Sequence, residues 1–381
     1  MGSVRQSSQP GVLRALPGER ALFAGWLTTA ILATIGAPWL ADPSGGLVSG
    51  LLFAWIFAVM LWSAFGVARH ADELAVGLGE PYGTLILTLA VTIIEVALIA
   101  AIMLTGENDP HLARDTMFAV LMIVLNAMVG ATLLFGGIRH RQQHFNVGGA
   151  NAFLAVIVPL AVFALVLPDF TASAPGLSRP QQIFFAGVTI LLYMVFLAIQ
   201  TVRHRGLFIG PDVELSAFDE HAARWTDRRE PAGALIYHAV LLVLTMLPVV
   251  LLSKDLAVFV DYGVFRLGAP AALGGVIVAI LVLTPEGLGA LHAAAANRLQ
   301  RAVNICLGSA LATIGLTVPA VLLIGLVTGA PVELGLEPIE MVLLLLTLMV
   351  STLTFGSGHT NILQGAVHLV LFVAYVVLVF D

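Results

Sequence analysis

GTLILTLAVTIIEVALIAAIMLTG (83–106) and GGVIVAILVLTPEGLGALHAAAA (274–296) are two apolar runs that each carry one carboxylate near the middle, Glu95 and Glu286. A segment this apolar and this long is a membrane-spanning helix, because about 20 residues at 1.5 Å rise cross the ~30 Å hydrocarbon layer. An ionised side chain at that depth costs about 3 kcal/mol or more unless it faces protein or a wet cavity. Two such acids at comparable depth, one in each half of the chain, point to an ion pathway.

The whole composition agrees. Of 381 residues, 59% are apolar and only 10% charged, with a mean hydropathy of +1.00, so the bilayer is the solvent. The net charge of −6 is spread over loops, and no basic face for nucleic acid is present. The single cysteine, Cys306, lies in an apolar run and excludes an intramolecular disulfide.

Hydrophobic runs predict an all-α integral membrane protein with eleven transmembrane helices, at about 21–39, 47–69, 83–104, 115–137, 150–167, 182–203, 234–253, 270–292, 302–328, 338–355 and 363–380. The stretch from Lys254 to Gly274, interrupted by Asp255, Asp261 and Arg266, reads either as a loop or as the extension of a tilted helix. Arg5, Arg14 and Arg20 precede the first run, which is as long as a full span and lacks a clear cleavage site, so it is expected to be retained. With the N-terminus inside, 13 of the 17 basic residues fall in cytoplasmic segments and 4 (Arg114, Arg179, Lys254, Arg266) on the other side. That asymmetry predicts a bacterial inner-membrane protein with its N-terminus cytoplasmic and its C-terminus outside.

Setting the first helix aside leaves ten, split into two fives by the polar stretch from His204 to Pro231. An odd number per set reverses the second set in the membrane, the geometry of two inverted five-helix repeats. The expected organisation is an N-terminal tail and extra helix (1–46), a first repeat (47–203), a cytoplasmic polar loop (204–233) and a second repeat (234–381). Echoes between the halves place Glu95 and Glu286 at equivalent positions: Gly79-Glu80-Pro81 against Gly268-Ala269-Pro270, and Gln182 with Tyr193 against Gln364 with Tyr375.

Polar neighbours gather near each acid. Thr84, Thr88, Thr92 and Glu95 share one helical face, so their hydroxyls either line an access route or bond back to their own helix. Beside Glu286, Thr284 adds a hydroxyl, Pro285 displaces a carbonyl, and Gly287 and Gly289 permit irregular backbone, a setting suited to a hard cation. Asn126 in one half, and Ser309, Thr313 and Thr317 at four-residue spacing in the other, are candidate supporting ligands or interhelical packing bonds. His238 and His292 are candidate proton relays or interfacial histidines. No metalloprotease, nucleotide-binding or nucleophile motif is present. An intramembrane enzyme using Glu286 and His292 as acid and base is the rival from another class, and a cation channel the nearer one.

Three stretches, HFNVGGANAFLAVIVPLAVFALVLPD (144–169), LSRPQQIFFAGVTILLYMVFLAIQTVRHRGLF (177–208) and SGHTNILQGAVHLVLFVAYVVLVF (357–380), resemble the calcium/proton exchanger (CAX) family. VLTPEGLGALHAAAANRLQRAVNICLGSALATIGLTVP (282–319) is similar to its bacterial ChaA-like branch. The resemblance implies the cation/Ca²⁺ exchanger superfamily fold and exchange of cations for protons, with Glu95 and Glu286 at the family's two cation-binding acids. It also implies that Asn126 and Ser309 stand where family serines begin a polar run. The family's G-N-x-x-E pattern is replaced by Val91-Thr92-Ile93-Ile94-Glu95 and Val282-Leu283-Thr284-Pro285-Glu286, and a histidine after the second acid by Gly287. The expectation is therefore a cation/proton antiporter with no resident cofactor, calcium ahead of sodium or potassium, its partners being inorganic cations, protons and lipid.

Overall fold

A computed structural model of the chain describes residues 19–41, 46–78, 82–105, 110–171, 176–210, 232–268, 270, 272–329 and 332–379. Gly79-Glu80-Pro81, Ala269 and most of the polar loop, 211–231, lie outside the described residues. Helices occupy the described chain almost entirely: α1 (Arg20–Thr34), α2 (Leu47–Leu78), α3 (Tyr82–Thr105), α4 (112–140), α5 (Val147–Leu165), α6 (Arg179–Arg203), α7 (Ala232–Leu267), α8 (Ala272–Ala295), α9 (Leu299–Thr328), α10 (Pro338–Phe355) and α11 (Ile362–Val379). Among the described residues nine are long and apolar enough to cross a membrane; α1, and α3 with its described apolar part at Leu85–Ala100, are shorter. The chain is a multi-pass membrane protein.

Three boundaries differ from the sequence expectation, and one of them is the end of α2, read as 69, which lies at Leu78. The first run, read as 21–39, ends at Thr34 and restarts as a short helix, Ala37–Ala41. Gly36 lies at the break, and Pro38 has no N–H with which to continue the α1 ladder. The stretch from Lys254 to Leu267, left open between a loop and the extension of a tilted helix, is helix: α7 runs 36 residues, about 54 Å, too long to stand upright in a ~30 Å layer and so necessarily tilted or protruding.

Burial separates central from peripheral helices. The most apolar windows of α4 and α9 are 78% and 67% buried, against 22% for α6, α7 and α11. The outer helices turn Leu191, Val240, Leu353 and Val370 outward, as lipid-facing surfaces require. Small residues let the helices close up: a Cβ on Gly130 of α4 would stand 2.9 Å from the backbone of Leu369 on α11, contact that only a hydrogen permits.

Loops fall at two ends. At one end Arg301 pairs with Asp72 (2.8 Å), Gln143 donates to the Ala294 carbonyl (2.9 Å), and Gln143–His144 pairs antiparallel with His359–Thr360. At the other, Arg114 pairs with Asp115 (2.7 Å), and the Leu336 N–H reaches the Leu165 carbonyl (2.8 Å). Helix starts are capped as their sequences allow: Asn146 accepts from the Gly148 N–H (2.9 Å) at α5, and Gln181 and Glu340 accept from the Ser178 and Glu337 N–H groups at α6 and α10.

Two of the most buried helices are interrupted near the middle by π-helix, Ile123–Met128 in α4 and Thr313–Thr317 in α9. Such segments widen one turn and redirect side chains, and they concentrate at functional sites. In α9 the cause is local: Pro319 has no N–H for the Gly315 carbonyl.

Candidate cation site

Glu95 on α3 and Glu286 on α8 are 1% and 0% exposed and lie within electrostatic range of one another. Their bonds come from one helix. On α9, the Thr313 hydroxyl donates to Glu95 Oε2 (2.9 Å), the Thr317 hydroxyl lies 3.3 Å from Glu95 Oε1, and the Ser309 hydroxyl donates to Glu286 Oε2 (2.6 Å). The i, i+4, i+8 spacing keeps all three on one face; the π segment Thr313–Thr317 spans the two hydroxyls that meet Glu95, and Ser309 lies in the α-helical stretch before it. Glu286 Oε1 is buried without a hydrogen-bond partner among the described residues. Pro285, inside α8, removes an N–H from the ladder immediately before this acid.

Two carboxylates and three hydroxyls make an all-oxygen donor set, suited to hard cations and, when the acids are protonated, to holding protons instead. A cleft lined by Thr88 of α3, Gln200, and Asn304 and Gly308 of α9, the last adjacent in sequence to Ser309, has about 10 Å³ of space, room for roughly one water. At the opposite end a wider cavity of about 460 Å³ is lined by Arg114, Asp115, Glu337, Glu340 and Tyr375.

Other expected ligands face elsewhere. The Thr92 hydroxyl bonds back to the Thr88 carbonyl (2.8 Å) and that of Thr284 to the Ile280 carbonyl (2.5 Å), satisfied within their own helices. Thr88 faces the cleft. Asn126 donates to the Thr347 hydroxyl (2.9 Å) and contacts His368 Nδ1 (3.3 Å), on the side of α4 toward α10 and α11. His292 is exposed in the last turn of α8, and His238 sits near the start of α7 against His70. His368, fully buried and bonded to Thr354 (3.1 Å), was missed by the sequence reading, although a lone imidazole inside an apolar run carries the same signal as the two acids.

A profile of the family described as sodium/calcium exchanger protein matches residues 48–202 and 236–380. The chain is 44% identical over 338 residues to a putative ionic transporter, y4hA, of Sinorhizobium fredii, covering 88% of this chain and 87% of that one. It is 42% identical over 322 residues to the sodium-potassium/proton antiporter ChaA of Escherichia coli, covering 84% and 86%. Among solved structures, native YfkE superposes with a TM-score of 0.67 at 18% identity, covering 94% of this chain and 99% of the other. That last likeness concerns the fold alone.

Proposed function

The chain belongs to the sodium/calcium exchanger protein family, a transporter and not an enzyme, and from the glutamate pair we propose that it is a secondary active antiporter exchanging sodium or potassium for protons. The observation that carries this is that Glu95 and Glu286, both buried, are held by hydroxyls of the single helix α9, so whatever binds one acid is felt by the other. The expectation that put calcium first gives way here. The relative at 42% identity is named for sodium, potassium and protons, whereas proteins named Ca²⁺/H⁺ antiporters match at 22–24%. The donor set points the same way, since neither acid is preceded by an amide ligand and Ca²⁺ takes 6–8 oxygens.

Charge sets the stoichiometry. A buried site is least costly when neutral. Two protons neutralise the pair, and so does one monovalent cation with one remaining proton. The exchange is therefore one cation for one proton and electroneutral. Glu286, with Oε1 open to a cation and Oε2 anchored on Ser309, presents the oxygen that meets the cation, and the one remaining proton belongs to the pair. Alternating access follows from movement of one five-helix set, α2–α6 or α7–α11, past the fixed pair, with the π segments of α4 and α9 as the adjustable turns. The arginine-rich end is cytoplasmic, in a bacterial inner membrane.

The test is dissipation of an imposed pH gradient in proteoliposomes by Na⁺, K⁺ or Ca²⁺. Sodium or potassium must discharge it with no membrane-potential signal. Discharge by Ca²⁺ alone returns the reading to calcium/proton exchange, and cation flux without proton movement would make the protein a channel.

A further inference from the structure

A second cluster of ionisable groups lies well away from the glutamate pair, where α1, α2 and α7 meet. Glu19, at the start of α1, accepts at one oxygen, Oε2, from Arg69 Nη2 (2.5 Å) and from His70 Nε2 (3.0 Å) on α2. Across the seam, His70 Nδ1 stands 3.1 Å from Nδ1 of His238 on α7. Tyr237 meets the His238 ring edge-on, with centroids 5.1 Å apart, and interacts with Glu19. Among the described residues these five make up the cluster, and Arg69 also makes a further interaction. His70 is 1% exposed and Glu19 7%.

His70 Nε2 lies 3.0 Å from the Glu19 carboxylate and 3.3 Å from Arg69 Nη2, and against an ionised Glu19 it carries hydrogen. A 3.1 Å contact between two Nδ1 atoms holds one hydrogen and not two. One histidine can take up an additional proton and still donate across the seam. When both are cationic, two N–H groups and two like charges face each other across the 3.1 Å contact and repel.

We propose that His70 and His238 form a regulatory proton-binding site: one shared hydrogen fastens α2 to α7, and the proton that makes both imidazoles cationic parts the two helices. α2 and α7 each open one of the five-helix sets, and both pack against α3, which carries Glu95. Release of this seam thus reaches the transport site through α3. This consequence for transport rests on the antiporter reading; the opening of the seam does not.

The test is a distance. Spin labels at Glu73→Cys and Ile236→Cys, both exposed and on opposite sides of the seam, in a Cys306→Ala background, report the α2–α7 separation by pulsed electron resonance in detergent. Between about pH 8 and pH 5, where an imidazole titrates, a longer distance should appear, its population ratio rising about tenfold per pH unit below the midpoint, the slope of one proton. His238→Asn keeps a hydrogen-bonding amide at the Nδ1 position and cannot become cationic, so its distance should not respond to pH. Glu19→Gln removes the charge that favours the second proton and should move the midpoint to lower pH. A separation that ignores pH in the parent protein, or a His238→Asn variant that opens like the parent, would overturn the proposal. If His238→Asn does not fold, a Glu19→Gln midpoint that is unmoved or higher does so. A failed exchange assay leaves this distance change intact, so the two readings fall separately.

Discussion

Ser309→Ala removes the bond that anchors Glu286. Ser309 is 3% exposed, and its hydroxyl, at 2.6 Å, is the only hydrogen-bond donor to this carboxylate among the described residues. A hydrogen bond to an ionised acceptor contributes ~1.5–3 kcal/mol, and 1.4 kcal/mol is about tenfold in a binding constant. If Glu286 must ionise to receive the cation, its loss should weaken cation binding about 10- to 100-fold at a fixed pH. The sign with pH follows: without the donor the protonated acid is favoured, so the pH at which cation binding is half complete moves up by roughly 1–2 units. The backbone should tolerate the change, alanine being a good helix former. The assay is equilibrium binding of Na⁺ and K⁺ to purified protein across pH, with a thermal melt to confirm folding. A folded Ser309→Ala variant whose affinity and half-binding pH match the parent would refute the assignment of Ser309 as the anchor of Glu286.

Glu95→Gln and Glu286→Gln should each insert and fold, because an amide is cheaper to bury than a carboxylate, and each should abolish exchange in proteoliposomes; retained exchange in either removes the shared site. In the parent, cation affinity should fall as pH falls, because protons and cations compete for the same oxygens; a flat profile by calorimetry would separate the two paths. Thr92→Ala should leave cation affinity within about threefold, since that hydroxyl is spent on the Thr88 carbonyl, and a larger loss would mean it swings to the site during transport. Gly130→Val should cost ~1–3 kcal/mol or more by forcing α4 from α11, seen as a lower melting temperature, while Gly187→Ala, with open space at its Cβ, should not.

What was legible in the sequence was whatever the bilayer enforces. An acid in an apolar run must be buried in protein, and Glu95 and Glu286 are. Helix positions followed from the same rule, with departures where backbone chemistry intervened: Gly36 and Pro38 cut the first run short, while α7 continues through Lys254 and the three charges after it, the helical one of the two readings that stretch allowed. Ligand assignments were weaker because hydropathy says nothing about which way a hydroxyl turns. Thr92 and Thr284 have the spacing of ligands yet bond to their own helices, and Asn126 faces Thr347 and His368. The π segment Thr313–Thr317, whose end residues both reach Glu95, precedes Pro319, a residue whose missing N–H is felt one turn upstream.

The central claim is that cation and proton occupy one site built on Glu95 and Glu286. Proton release on cation binding tests it without a membrane: sodium or potassium is titrated calorimetrically into purified protein, in buffers of different ionisation enthalpy. The account predicts about one proton released for each monovalent cation bound, and none from Glu286→Gln, which should not bind the cation at all. Tight cation binding with no proton released would contradict it.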